Sequence, residues 1–179
     1  MNTLDNQLID AAKAGNVKLT KFLLMSGAAP NACDLNGVTA LMRTCHNPIS
    51  SLQNSAIEIA ELLLEAGANP NTNDILGGTP LAYSIRNRYD TSQVLISLLI
   101  EAGADVNQAQ EGGYPALLLL GYHPNYSKAE MLVNAGADVN AVVNGIRLLQ
   151  RLLSLHFLYG SSTIDRIIQL LVANGATLT

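Results

Sequence analysis

The chain has 179 residues, of which 49% are hydrophobic and only 13% are charged. This composition supplies enough apolar side chains for a buried core and excludes a wholly disordered chain. Aromatic residues make up 4% and Trp is absent, so the predicted core is aliphatic. Ten basic against fourteen acidic residues give a net charge of -4. That balance argues against nucleic acid or an anionic membrane as the main partner, because both attract clustered Lys and Arg.

The cysteine content, the N-terminal segment and the most apolar stretch indicate the compartment in which the chain is expected. Two cysteines, Cys33 and Cys45, are too few to cross-link a chain of this size, so a reducing compartment is expected. The N-terminal stretch MNTLDNQLIDAAKAG has no basic patch followed by an apolar run, and no secretory leader is predicted. The most apolar stretch, 146–159, is interrupted by two arginines, a glutamine and a histidine. A membrane-spanning segment is therefore not expected.

One phrase recurs five times along the chain and predicts the ends of five helices. It reads SGAAPN at 26–31, AGANPN at 66–71, AGADVN at 102–107 and 135–140, and NGATLT at 174–179. Each copy follows an aliphatic run such as FLLM or ELLLE, and a glycine just past such a run is typical of the left-handed residue that ends a helix. The glycines are 40, 36, 33 and 39 residues apart, which indicates a repeat of helical units.

Other signals predict where the helices begin. Capping pairs at 55–58, 90–93, 127–130 and 162–165 favour helix starts ahead of four of the aliphatic runs. Shorter helices are predicted before them, near 8–15 and from 39, 79, 115 and 148 onward; Thr79 suits an N-cap and Pro80 the first helical position. Polar turns with Asn-Gly or Gly-Gly pairs separate the units, as in hairpin turns. Each unit is predicted to read turn, helix, turn, helix.

These linked positions resemble the ankyrin-repeat family. The residues that carry the resemblance are DLNGVTAL at 34–41 with IAELLLEAGA at 59–68, and TPLA at 79–82 with AGADVN at 102–107. The resemblance implies an all-α fold, an ankyrin-type α-solenoid of about five stacked helix-turn-helix repeats joined by β-turn fingers. The implied organisation is a single domain over 1–179 with units at about 1–35, 36–75, 76–111, 112–144 and 145–179.

The repeats also depart from the family pattern. Extra residues fall between the helices of the second and fifth units, around 47–53 and 158–162, and a few near 88–90 in the third. The fourth unit has Pro115-Ala116 in place of Thr-Pro, and the fifth lacks the Thr-Pro-Leu phrase. These departures predict longer inner helices or extended inter-helix loops.

Catalytic and metal-binding patterns are weak in this sequence. Cys33, Cys45 and His46 could offer at most three soft ligands, and Cys45 falls where the repeat needs a small buried residue. The glycine pairs 77–78 and 112–113 have neither the preceding strand nor the following Lys of a phosphate-binding loop. We therefore expect no enzyme activity, no metal and no cofactor.

The predicted binding surface is the concave face, where turn tips and the exposed sides of the first helices align in such a stack. Tyr and Arg, which are enriched at binding hot spots, occur on this face, although the predicted core has almost no aromatic residues. The predicted partner-binding residues are Leu35, Asn36, Val38, His46, Asn47, Ile75, Leu76, Arg86, Asn87, Tyr114, Tyr122 and His123.

Two functions are compatible with this sequence. The first is a rigid protein-protein interaction module that binds an unidentified protein partner through the concave face. The alternative is a structural or self-associating scaffold that pairs through the apolar last repeat, where 148–158 holds more leucine than one helix face can bury. We expect a monomer in which the long last inner helix covers itself, with a dimer through this repeat as the alternative. The expected location is cytoplasmic, and the resemblance also admits delivery as an effector into a host cell.

Overall fold

The structure, a computed structural model, describes residues 3–46, 53–87, 91–108 and 114–178. The described chain is mostly helical, which confirms the all-α ankyrin fold class. It divides into two compact units, Met1–Ala104 and Asp105–Thr179. The single domain over 1–179 and its five repeat boundaries remain predictions.

The first unit consists of three helix pairs arranged in two layers. The inner helices α1, α3 and α5 pack against one another, and the outer helices α2, α4 and α6 do the same. The predicted small residues Ala11 and Ala12 are buried, which lets a neighbouring helix approach closely. The helices are α1 Thr3–Lys13, α2 Val17–Met25, α3 Ala40–His46, α4 Gln53–Glu65, α5 Pro80–Arg86 and α6 Thr91–Glu101.

The second unit consists of two helix pairs and a small hairpin. The outer helix α8 packs on α10, and each pairs with its own inner helix, α7 or α9. The hairpin joins β1 to β2 antiparallel, and its Asn144-Gly145 turn has positive φ at both residues, as the Asn-Gly pair predicts. The elements are α7 Ala116–Leu119, α8 Tyr126–Asn134, β1 Val142–Val143, β2 Ile146–Arg147, α9 Leu148–Tyr159 and α10 Ser162–Ala173.

The C-terminal ends of the outer helices follow the local signals of the sequence, whereas several helix starts do not. All five glycines of the repeated phrase have φ between 85° and 89°, so the left-handed helix ends are confirmed. Thr79 accepts a hydrogen bond from the Ala82 N–H at 3.2 Å, with Pro80 at the first helical position. The caps predicted at 55, 127 and 162 are wrong. Asn125 is the N-cap of α8 and accepts from the Lys128 N–H at 3.0 Å, Ser161 is the N-cap of α10, and Ser55 lies inside α4.

An asparagine at the end of the repeated phrase joins consecutive repeats within each unit. The side-chain amide of Asn31 donates to the Gly67 carbonyl at 2.9 Å, and its oxygen accepts from the Asn69 N–H at 2.7 Å. The bond satisfies the carbonyl of the glycine that lies just past the end of α4. The same amide-to-carbonyl bond links Asn71 to Gly103, Asn107 to Gly136 and Asn140 to Gly175.

The long inner helix of the last repeat is only partly covered. Leu148, Leu149 and Leu152 are buried under the rest of the unit. At the other end of α9, Phe157 is 89% exposed and the two residues that follow it are also exposed. The expectation that this helix covers itself is therefore wrong for its last turn, while the monomer remains a prediction.

Candidate functional site

Two turn fingers of the first unit are each organised by one aspartate. The Oδ1 atom of Asp34 accepts hydrogen bonds from the Asn36 and Val38 N–H groups at 2.8 and 3.0 Å. The Oδ1 atom of Asp74 accepts from the Leu76 and Gly78 N–H groups at 2.9 and 2.8 Å. The carboxylates therefore hold the loop backbone in one conformation, and the fingers are preorganised.

The two fingers also bond directly to each other. The Ile75 N–H donates to the Asn36 carbonyl at 2.9 Å, so the tips of the second and third repeats are adjacent. At these tips, Leu35 is 97%, Ile75 69% and Leu76 61% exposed. Of the other two predicted finger residues, Asn36 is exposed, whereas Val38 is buried and offers almost no surface. The fingers thus hold three large aliphatic side chains out into solvent.

The second oxygen of each finger aspartate binds the fourth residue of the following inner helix. Arg43 of α3 pairs with Asp34 Oδ2 at 2.7 Å, and the Tyr83 hydroxyl of α5 donates to Asp74 Oδ2 at 2.5 Å. Sequence reasoning missed both Arg43 and Tyr83, although each follows its aspartate by nine residues. These contacts fasten each finger to its helix.

Electrostatics distinguish the two pairs. Burial alone would raise the pKa of Asp34, but hydrogen bonds from the Val38 N–H and from Arg43 outweigh it and lower the pKa below its usual value. Burial and the Asp74 carboxylate together raise the pKa of Tyr83 to about 12. Tyr83 therefore remains a neutral donor at ordinary pH, whereas the Arg43 pair is ionic.

The ends of the two inner helices bring together three further predicted residues. The His46 ring contacts the Tyr83 ring edge-on, with centroids 5.2 Å apart. Partial burial and then the charges of Arg43 and Arg86 lower the pKa of His46, so this imidazole is neutral at pH 7. Asn87 donates to the Cys45 carbonyl at 3.2 Å and ties α5 to α3. The remaining prediction in this region, at position 47, lies outside the described residues.

The second unit brings together its two predicted tyrosines around an arginine. The rings of Tyr114 and Tyr122 meet edge-on with centroids 6.3 Å apart. The Arg151 guanidinium lies over the Tyr122 ring at 4.0 Å from its centroid, a cation–π arrangement. Sequence reasoning missed Arg151, yet it is the fourth residue of α9, as Arg43 and Tyr83 are in their helices. His123, also predicted, is exposed beside this group.

The predicted site residues therefore form two described groups, one in each unit. The first consists of the aliphatic fingertips with His46 and Arg86, and the second of the edge-on tyrosine pair with Arg151. One continuous strip through both remains a prediction.

The structure also locates the residues considered for other chemistry. Cys33 is exposed and Cys45 is buried, and burial raises the pKa of the Cys45 thiol to about 12. In the described ranges, no three His, Cys, Asp or Glu residues group in a way that could hold a metal ion. A Cβ at Gly78 would lie 2.8 Å from Asp74 Oδ2, so a side chain there would displace the carboxylate that organises the finger. No helix among the described residues is long and apolar enough to cross a membrane.

Comparison with known protein families matches the family described as ankyrin repeats (3 copies), over residues 8–108 and 49–143. These matches cover most of the chain. No curated protein matches it.

Proposed function

Because the chain belongs to the ankyrin repeat family, we propose that it is a non-catalytic module that binds a protein partner through its concave face. Ankyrin repeats are generally protein-protein interaction modules. The observation that carries the proposal for this chain is the exposure of Leu35, Ile75 and Leu76 on aspartate-braced fingers. Large aliphatic side chains in solvent are unfavourable for an isolated protein and favourable once a partner covers them.

The rigidity of the fingers supports this reading. Each loop N–H that binds an aspartate is already ordered, so association costs little further conformational entropy. Polar side chains are exposed in the same unit, with His46 and Arg86 at the ends of the inner helices α3 and α5. A mixed surface of apolar tips and polar neighbours is typical of an interface with a protein rather than with a lipid.

The test begins with a partner captured from the native source and identified by mass spectrometry, after which calorimetry measures its affinity for variants. Leu35→Ala, Arg86→Ala and Tyr122→Ala should each weaken binding by about 1–3 kcal/mol, as central anchors do. Glu61→Ala and Glu65→Ala are the matched controls, since both residues are exposed on the outer helix α4. If the controls abolish binding and the other variants do not, the partner binds the convex side and the proposal is wrong.

A self-associating scaffold is the second candidate, and the exposed end of α9 favours it. Phe157, Leu158 and Tyr159 are consecutive and all exposed, and aromatic residues are enriched in interfaces. Light scattering distinguishes the two functions. A dimer that Phe157→Glu converts to a monomer would support the scaffold, whereas a monomeric wild-type protein would exclude it.

A further inference from the structure

The second unit contains a small pocket whose lining side chains are either cationic or neutral. Its lining consists of Tyr114, Leu118, Val143, Ile146, Arg147, Leu148 and Arg151. The lining thus contains two guanidinium groups and no carboxylate. The cavity volume is about 20 Å³, which is too small for a free ligand of ordinary size but sufficient for the end of one side chain.

Both arginines are held in place by bonds that leave part of each guanidinium available. Arg147 Nη1 donates to Thr177 Oγ1 at 2.6 Å and contacts Asn140 Oδ1 at 3.3 Å. Arg151 Nε donates to the Gly121 carbonyl at 3.1 Å while its plane lies on the Tyr122 ring. Within the described residues, the two Nη atoms of Arg151 and Nη2 of Arg147 have no acceptor.

The glycine beneath Arg151 is what permits this arrangement. A Cβ at position 121 would lie 2.5 Å from Arg151 Cδ and 2.9 Å from its Nε. No side chain fits at that distance, so any other residue would displace the arginine. Gly121 therefore leaves room for Arg151 and accepts its Nε–H, without contributing any charge to the pocket.

The carboxylates that the structure describes in this unit are engaged elsewhere. Glu130 accepts from the Tyr126 hydroxyl at 2.9 Å, and Asp165 pairs with His156 at 2.6 Å. Asp105 and Asp138 each accept a backbone N–H two residues further along at 2.8 Å. The two pocket arginines therefore lack an acidic partner among the described residues, which leaves positive charge concentrated at the pocket.

We propose that this pocket binds the carboxylate of a glutamate side chain in an extended segment of the protein partner. A guanidinium fork matches a planar carboxylate, and the apolar walls formed by Leu118, Val143 and Ile146 suit the methylene groups of glutamate. A phosphate group is larger and lacks such methylene groups, so it fits this small cavity less well. The inference rests on the proposed function, because it specifies one anchor of the binding surface.

The test uses blocked tripeptides and the Nε–Hε signals of the arginines in NMR spectra of the full chain. Acetyl-Ala-Glu-Ala-amide should shift the Arg151 signal saturably, and the Gln analogue should bind roughly tenfold more weakly because it loses a charge-assisted contact. Glu111 precedes Tyr114 closely in the sequence but lies outside the described residues, so the titration is repeated with Glu111→Gln. The Glu peptide should bind this variant at least as tightly.

Two substitutions separate the pocket from a general loss of structure. Gly121→Ala keeps every charge but displaces Arg151, and it should weaken the Glu peptide roughly tenfold, with the Arg147 signal as readout. Arg166→Leu is the matched control, since Arg166 also stacks on a tyrosine, Tyr126, at 3.9 Å but does not line the pocket. This control should leave the affinity unchanged.

Three results would overturn the inference: no saturable shift in either background, equal affinity for the Glu and Gln peptides, or tighter binding of the phosphoserine analogue. If the tripeptide fails while the Leu35 variant loses partner binding, the pocket alone is wrong and the proposed function stands. If the tripeptide binds while the fingertip variants retain the partner, the concave-face proposal is wrong.

Discussion

Two glycine-to-alanine substitutions in the first unit separate backbone strain from finger packing. Gly103 and Gly37 have similar positive φ angles, 85° and 76°. An added Cβ meets nothing within 4 Å at Gly103, but at Gly37 it would lie 3.0 Å from Asp74 Cα and 3.2 Å from the Ile75 nitrogen. The first substitution therefore imposes left-handed strain alone, and the second adds a clash with backbone of the next finger.

The expected magnitudes follow from this difference. Left-handed strain costs an L-residue about 1–2 kcal/mol and is partly offset by the lower entropy of the unfolded chain, so Gly103→Ala should lower the free energy of unfolding by about 1 kcal/mol. Gly103→Val should cost more because its side chain is β-branched. Gly37→Ala should cost about 2–4 kcal/mol, since overpacking against backbone adds roughly 1–3 kcal/mol.

The assay is urea denaturation followed by far-UV circular dichroism, with stabilities taken from the transition midpoints at a common m-value. Gly103→Asn is a useful third variant, because Asn tolerates the left-handed region, and it should cost less than Gly103→Ala. Equal destabilisation by Gly37→Ala and Gly103→Ala would refute the argument, since the clash with the next finger would then add nothing to the left-handed strain.

Two further predictions concern buried charged groups. Asp74→Ala should lower the free energy of unfolding by about 2–4 kcal/mol because three donors lose their acceptor. Asp34→Ala should cost less, since the ion pair of Asp34 with Arg43 is more exposed. Urea denaturation of both variants measures the difference. Burial lowers the pKa of Lys128 from 10.5 to about 8. Between these two pH values the unfolded chain therefore holds a proton that the folded protein has released. The free energy of unfolding of the wild type should thus increase by up to about 3 kcal/mol as the pH rises through this range. Lys128→Met should remove this gain. The difference in free energy of unfolding between the variant and the wild type should therefore be smaller at pH 10 than at pH 7.5. An equal difference at both pH values would contradict the prediction.

The helix ends could be predicted because their signals are local. A glycine after an aliphatic run can adopt positive φ wherever the chain places it, and the five glycines of the repeated phrase do so. The start of α8 was predicted less well, because Asn125 and Ser127 are both good caps within three residues. Asn125 has extended backbone angles and its side chain reaches Lys128, and only the structure distinguishes these two candidates.

The exposed fingertips were also predictable, but their neighbours were not. Leu35, Ile75 and Leu76 occupy turn positions, where a side chain points away from the repeat. Val38 directly follows the turn and precedes Thr39, which forms a bridge with Cys33, so its side chain points inward and is buried. One residue thus separates a surface position from a core position, and the repeat pattern alone does not resolve that difference.

The fourth residue of an inner helix shows how the surface chemistry of a repeat can vary while its fold does not. Arg43 and Tyr83 occupy this position in α3 and α5, and both bind the second oxygen of a finger aspartate. Arg151 occupies it in α9, where no such aspartate precedes the helix, and it lies instead over Tyr122. The position therefore tolerates ionic, neutral and stacked contacts, because each of them fastens neighbouring segments without entering the core. In α3, α5 and α9 the side chain at this position borders the exposed surface, whereas Leu119, the fourth residue of α7, is buried. A change of contact in those three helices therefore alters the chemistry of the surface while the helix pair stays the same.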